Sequence, residues 1–433
     1  MYIKKKMILL FILFILSVTA VSSFASEPDI KATGAILAMS NGDQILYDKN
    51  PDQQVFPFNL TKLMTALAAY ENSNIEDVVV IADNIKDYLN PFEQIMDLRP
   101  GEQIKVADLI KATIVGSYND AAIALALHCG GTNEGFVDMM NQQATNLGLG
   151  GTSFANPTGA HDTMNYTTAR DMLLIYKKIY SVRFLKECID KAYVTIPATN
   201  KSKERTFWTG NGMSTGYYGT RYVYSYAKGG KASSSTLGGC SVACAAVKGN
   251  SSFICIVLGS VQDESVNYSF VDAKEIFEYG FNDFTRKTIL HQDSIVAEVK
   301  VKNAMGVGRS LLLAEKTVNF YIKNDDDISK VESVRNIPEF ISAPTVKGDV
   351  VGSINYTYNG RNAGSVSLIA GNDIKLNRTK YVLNSILWFF SLKYIKLFLI
   401  IAFSTVVVYL SIVFSVILKA RKKTKKTKIK KIS

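Results

Sequence analysis

The sequence predicts an α+β fold, followed by a small β-rich domain and a membrane-crossing helix. Three observations carry this reading. Apolar residues alternate in strand fashion near residues 33–46 and again across 221–259. Between those stretches they recur at helical spacing, and an uncharged apolar run, Leu397 to Leu418, lies near the C-terminus. Strands at both ends of a helical middle imply one domain closed by its first and last segments.

Residues 1–25 read as a signal peptide. Lys4, Lys5 and Lys6 precede an apolar run from Met7 to Val21, and Ser23-Phe24-Ala25 supplies a small-residue site, so cleavage is expected after Ala25. The other reading is an uncleaved anchor.

The domain that follows spans 26–288. It opens with a strand–turn–strand pattern around Ser40-Asn41-Gly42-Asp43. Leu60, Leu63, Leu67 and Tyr70 then predict a buried helix, and Ala121, Leu125 and His128 predict another. Strands are expected at 222–224, 240–247 and 253–258, and a helix over about 269–281. Residues 289–378 change character: short alternating strands separated by Gly, Asn and Asp turns predict the β-rich domain. A juxtamembrane connector spans 379–396, and its Trp388 suits a membrane interface.

Residues 397–418 can cross a hydrocarbon core of about 30 Å. The tail, 419–433, carries nine Lys and Arg residues and no acid. Positive charge on that side predicts a cytoplasmic C-terminus and a large domain outside a single-pass cell-membrane protein. Removing these nine cations and the three of the leader from the net charge of +11 leaves −1 for the remainder. The basic character therefore reports topology, and nucleic-acid binding has no support. Five cysteines form no metal-binding pattern; free buried thiols are expected, with one disulfide left open.

The chemistry concentrates in three short segments: Asn59-Leu60-Thr61-Lys62, then Gly116-Ser117-Tyr118-Asn119, then Ala227-Lys228-Gly229-Gly230. Residues three apart on a helix share one face, so a hydroxyl at position 59 would meet the Lys62 amine. The residue there is Asn59. An amide nitrogen is conjugated to its carbonyl and cannot attack as an alkoxide would. Thr61, two positions on, points about 200° around the helix from Asn59 and is no substitute.

With Phe154-Ala155-Asn156-Pro157-Thr158-Gly159-Ala160-His161-Asp162 between the second and third segments, the chain resembles the D-alanyl-D-alanine carboxypeptidases. These are the low-molecular-mass penicillin-binding proteins that trim peptidoglycan stem peptides. The resemblance covers about residues 30–375, with Ser342–Gly348 in the β-rich part. It implies a penicillin-binding-protein/β-lactamase-like transpeptidase domain and no cofactor or metal.

By the same resemblance, Lys62 would be the base and Lys228 a neighbouring cation that attracts the substrate carboxylate. Ser117 would relay a proton, Asn119 would fix Lys62 and the substrate amide, and the backbone N–H groups of Asn59 and Lys231 would face the oxyanion. Gly229 stands where the family carries threonine, so Asn59→Ser is expected to restore chemistry only in part, and Asn59→Ser with Gly229→Thr to do better. Phe58 is expected to narrow the entrance, and His161 to stabilise its loop.

The leading expectation is a membrane-anchored pseudoenzyme that holds a stem peptide ending in D-Ala–D-Ala, or a cell-wall protein partner, without cleaving it. The alternatives are an active carboxypeptidase using another hydroxyl such as Ser117, and a non-binding scaffold.

Overall fold

The computed structural model describes residues 27–429, apart from 92, 218, 264 and 265. The expected signal peptide, 1–25, lies outside the described residues.

Strands β1 (Gly34–Met39) and β2 (Ile45–Lys49) make the opening hairpin. The helical middle comprises α1 (Thr61–Asn72), α2 (Val106–Ile114), α3 (Asn119–Gly130), α4 (Asn133–Asn146), α5 (Ala169–Ser181) and α6 (Arg183–Ile189). Two short hairpins interrupt it: β3 (Val78–Val80) with β4 (Gln103–Lys105), and β5 (Tyr193–Ile196) with β6 (Arg205–Trp208). The chain returns to strands in β7 (Ala227–Ser235), β8 (Gly239–Lys248) and β9 (Ser251–Ser260), then enters α7 (Tyr268–Asn282). The strand expected at 222–224 is absent; those residues form turns, and Tyr222 and Tyr224 pack on Phe270 and Phe277 of α7 instead.

The sheet order is β2-β1-β9-β8-β7, antiparallel throughout. Alternate side chains of a strand face opposite ways. Ile36, Ala243, Ala245, Ile254 and Ile256 pack with α1, α3 and α5, whereas Leu37, Val242, Cys244, Phe253 and Cys255 pack against α7. Both faces are covered, which is why β8 and β9 read as continuous apolar runs. Helix α1 lies at the centre, with Leu63, Met64, Ala66 and Leu67 wholly buried. All five cysteines are free thiols.

The chain divides into two compact units. Among the described residues, the first comprises 27–288 together with 319–332 and 356–364; the second comprises 289–318, 333–355 and 365–429. The later strands are β10 (Phe284–Leu290), β11 (Ile295–Lys302), β12 (Arg309–Ala314), β13 (Val318–Lys323), β14 (Val331–Asn336), β15 (Phe340–Ser342), β16 (Val350–Tyr358) and β17 (Arg361–Ala370). Six of them form a sheet in the order β14-β16-β17-β12-β11-β15. The connector is itself helical, α8 (Arg378–Ser391), and α9 (Lys393–Ile429) contains the apolar run. Within α9, Lys393–Arg421 is long and apolar enough to cross a membrane.

Candidate active site

The first segment is a single 3-10 turn, Phe58–Leu60, that feeds directly into α1. Phe58 has a φ of 45°, and its carbonyl lies against Gly159, where a Cβ would come within 1.9 Å of the Phe58 oxygen. Glycine is therefore required at 159 for this approach. The Phe58 ring does not narrow the cleft as expected. It lies over Gly238 in the β7–β8 turn and stacks on His161 at 6.0 Å. His161 also packs edge-on against Phe56 at 4.7 Å, so it serves to hold the loop.

Asn59 is tied from both ends. Its N–H donates to Ser233 Oγ at 3.2 Å, and its Oδ1 accepts from Lys62 Nζ at 2.8 Å. Lys62 is fully buried and donates again to the Thr158 carbonyl at 2.6 Å. Burial pulls its ammonium down from an ordinary 10.5 to about 7, with the Glu93 carboxylate acting the opposite way. Thr61 is buried on the other side, within reach of Asn165 Nδ2.

The second segment joins α2 to α3. Ser117 has a φ of 61°, the left-handed region that a residue with a Cβ rarely adopts. This conformation turns its side chain into a cleft of about 380 Å³ lined also by Asn59, Gln94, Trp208, Ser233 and Ser234. Asn119 opens α3. Its backbone N–H donates to the Gln94 carbonyl at 2.8 Å and its Nδ2 to Glu93 Oε2 at 2.7 Å. The expected contact of Asn119 with Lys62 is replaced by this link to Glu93. Asp120 secures the same loop by accepting from the N–H groups of Met96 and Leu98.

The third segment departs from expectation by three residues. Lys228 is exposed and is not among the residues that line the cleft. Gly229 is a packing glycine: a Cβ there would lie 1.5 Å from the Ile189 carbonyl oxygen. Gly230 has a φ of 120° within a bulge between Lys228 and Lys231. Lys231 is the cation that reaches the site. It is buried, donates to the carbonyls of Thr113 and Ile114 at 3.0 and 2.9 Å, and contacts Ser117 Oγ. Burial and the nearby Lys62 charge both push its ammonium well below the usual lysine range. The segment that meets Asn59 is thus Lys231-Ala232-Ser233.

Sequence reasoning missed Ser233, Glu93 and Trp208. Alternation does not flag Ser233, because Gly229, Gly230 and Lys231 are all buried and the bulge breaks the period of two. Trp208 stacks on Tyr217 at 4.6 Å and packs on Tyr193 at 4.9 Å. Two buried amines, three cleft hydroxyls and backbone donors can grip an anionic peptide terminus. No hydroxyl stands on the Lys62 face at position 59.

The profile of the D-alanyl-D-alanine carboxypeptidases matches residues 21–262. This chain belongs to the D-alanyl-D-alanine carboxypeptidase family. Residues 284–376 match the C-terminal domain of penicillin-binding protein 5. Among relatives, the D-alanyl-D-alanine carboxypeptidase DacF of Bacillus subtilis is 27% identical over 367 residues, covering 81% of this chain and 87% of its own length. DacC of Escherichia coli is 28% identical over 386 residues, covering 82% and 88%. Penicillin-binding protein 5 of Haemophilus influenzae superposes with a TM-score of 0.66 at 26% identity, over 81% of this chain and 99% of that one. PBP3 of Streptococcus pneumoniae shares the fold, with a TM-score of 0.68 at 22% identity over 80% and 100%. This member of the carboxypeptidase family carries the family's α+β fold and C-terminal β-rich domain.

Proposed function

We propose that this family member is an exported, membrane-anchored protein that binds peptidoglycan stem peptides ending in D-Ala–D-Ala and forms no acyl-enzyme at position 59. One observation carries the reading: Asn59 stands where the nucleophile would, and its side-chain oxygen accepts from Lys62 at 2.8 Å. Acyl transfer needs an oxygen that can lose its proton and bond to the carbonyl carbon. An amide supplies none, yet both buried lysines and the Ser117 hydroxyl remain to hold a carboxylate-ended peptide. The apolar helix within α9 is the proposed anchor, with the basic tail on the cytoplasmic side.

Incubating the purified protein with a labelled penicillin tests the claim. No covalent label is expected, while a stem pentapeptide should raise the melting temperature. Labelling that a single hydroxyl-to-alanine substitution abolishes would overturn it.

A second reading has support of its own. Ser117 Oγ contacts the buried Lys231 amine, so a hydroxyl and a depressed lysine form a pair within the cleft. On this reading Ser117 attacks the D-Ala–D-Ala carbonyl and Lys231 takes its proton. Release of D-alanine from a pentapeptide, abolished by Ser117→Ala, would favour it; absence of release across pH 6–10 would remove it.

A further inference from the structure

We propose that the tip of the β11–β12 hairpin, Met305-Gly306-Val307, is a second membrane contact that seats on the lipid surface beside the helix entering the bilayer. This rests on the anchoring reading of α9 above.

Single exposed apolar residues are ordinary on protein surfaces. Here two sit on one tip, Met305 at 64% and Val307 at 76% exposure, while the hairpin below buries Val299, Val301 and Leu312. The tip is fastened to the membrane-directed segment at three points. Met305 N–H donates to the Lys375 carbonyl at 2.8 Å, Asn377 N–H donates to the Asn303 carbonyl at 2.7 Å, and Asn384 Nδ2 donates to Asn303 Oδ1 at 2.7 Å.

The last bond marks the side of α8 that is joined to the hairpin. Lys380, Asn384, Leu387 and Ser391 fall on one face of that helix, and Val382, Ile386 and Phe389 fall on the opposite face. The hairpin therefore bonds to the side that carries Lys380 and Asn384, and the side with Val382, Ile386 and Phe389 faces away from that bond. An extended residue, Leu392, breaks the chain between α8 and α9, so the two helices need not be collinear.

Charge agrees with this arrangement. Lys300, Lys302 and Arg309 flank the tip on its own strands, and Lys375, Arg378 and Lys380 lie in the attached segment. Across 295–309 and 372–391 the acids are Glu298, paired with Arg309 at 3.0 Å, and Asp373, which accepts from the Lys347 N–H. An apolar tip within a cationic surround suits anionic lipid headgroups with an apolar layer beneath.

The test uses the full chain in vesicles of phosphatidylcholine and phosphatidylglycerol. In a Trp388→Phe background, Val307→Trp and, separately, Met305→Trp add one reporter each, read by difference from the background protein. Lipids brominated near the top of the acyl chain are expected to remove most of the added emission from both reporters. Added emission unchanged by brominated lipid, in protein that floats with the vesicles, would overturn the tip contact alone. Protein that fails to float would remove the anchoring reading and this inference with it.

Discussion

The side-chain oxygen of Asn59 accepts a hydrogen bond from Lys62 Nζ at 2.8 Å, and the Thr158 carbonyl accepts a second at 2.6 Å. The amine that would otherwise serve a nucleophile is engaged from two sides. In the neutral state its lone pair would have no hydroxyl to act upon.

Asn59→Ser is expected to create a nucleophile in the correct helical register. A β-lactam adduct should appear by intact-mass spectrometry where the wild-type protein gives none. Adding Ala232→Thr, next to Lys231, is expected to speed acylation roughly tenfold, since one hydrogen bond to a charged group contributes about 1.5 kcal/mol. Equal rates for the single and double variants would show that position 232 is silent.

Gly229→Thr is expected to harm the protein and not to aid catalysis. A Cβ at 229 would lie 1.5 Å from the Ile189 carbonyl oxygen. Overpacking of this kind costs about 1–3 kcal/mol. A fall in the denaturation midpoint, with no gain in penicillin labelling on the Asn59→Ser background, is the outcome to look for. Unchanged stability would mean that β7 can move away from α6.

Stability should depend on pH through Lys62. Its folded value, about 7, lies below the ordinary 10.5, so between those values the unfolded chain binds more protons than the folded one. Stability then rises with pH through that window, by up to about 1.4 kcal/mol per unit from this group, and is flat on either side. Lys231 is shifted in the same direction and should add to the slope. Urea unfolding from pH 6 to 10, compared between the wild type and Lys62→Met, isolates the contribution. Parallel curves would mean that Lys62 titrates normally in the fold.

Ser117 adopts a φ of 61°, where a Cβ is disfavoured by roughly 1–2 kcal/mol and glycine is not. Both Ser117→Ala and Ser117→Gly remove the hydroxyl that touches Lys231. Ser117→Gly should therefore be the more stable of the two by about 1 kcal/mol. Chemical denaturation of the two variants checks this, and indistinguishable midpoints would show that the loop relaxes.

Much of the site was legible because its first part is local. Asn59 and Lys62 are three residues apart on one short stretch, and helical geometry alone brings them together. Ser117 was legible only through the resemblance, since Ser-x-Asn by itself reads as a turn. The third segment was read three residues early, since Lys228-Gly229-Gly230 has the composition of the expected motif. Only the bulge between Lys228 and Lys231, with Gly229 pressed against Ile189, sets which lysine turns inward.

Taken by themselves, the residues determined what depends on near neighbours: the strand–helix–strand order, the buried stripe of α1, the apolar run in α9, and the missing hydroxyl at 59. Each follows from a repeat of two or 3.6 residues, or from the chemistry of one side chain. Tertiary packing decided the rest. It chose Lys231 over Lys228, handed Asn119 to Glu93, stacked Trp208 on Tyr217, and turned the Phe58 ring onto His161. Apart from the Trp208 stack, these outcomes depend on contacts between segments tens of residues apart, where a one-residue change of register reverses the facing of a strand. No local periodicity encodes that choice.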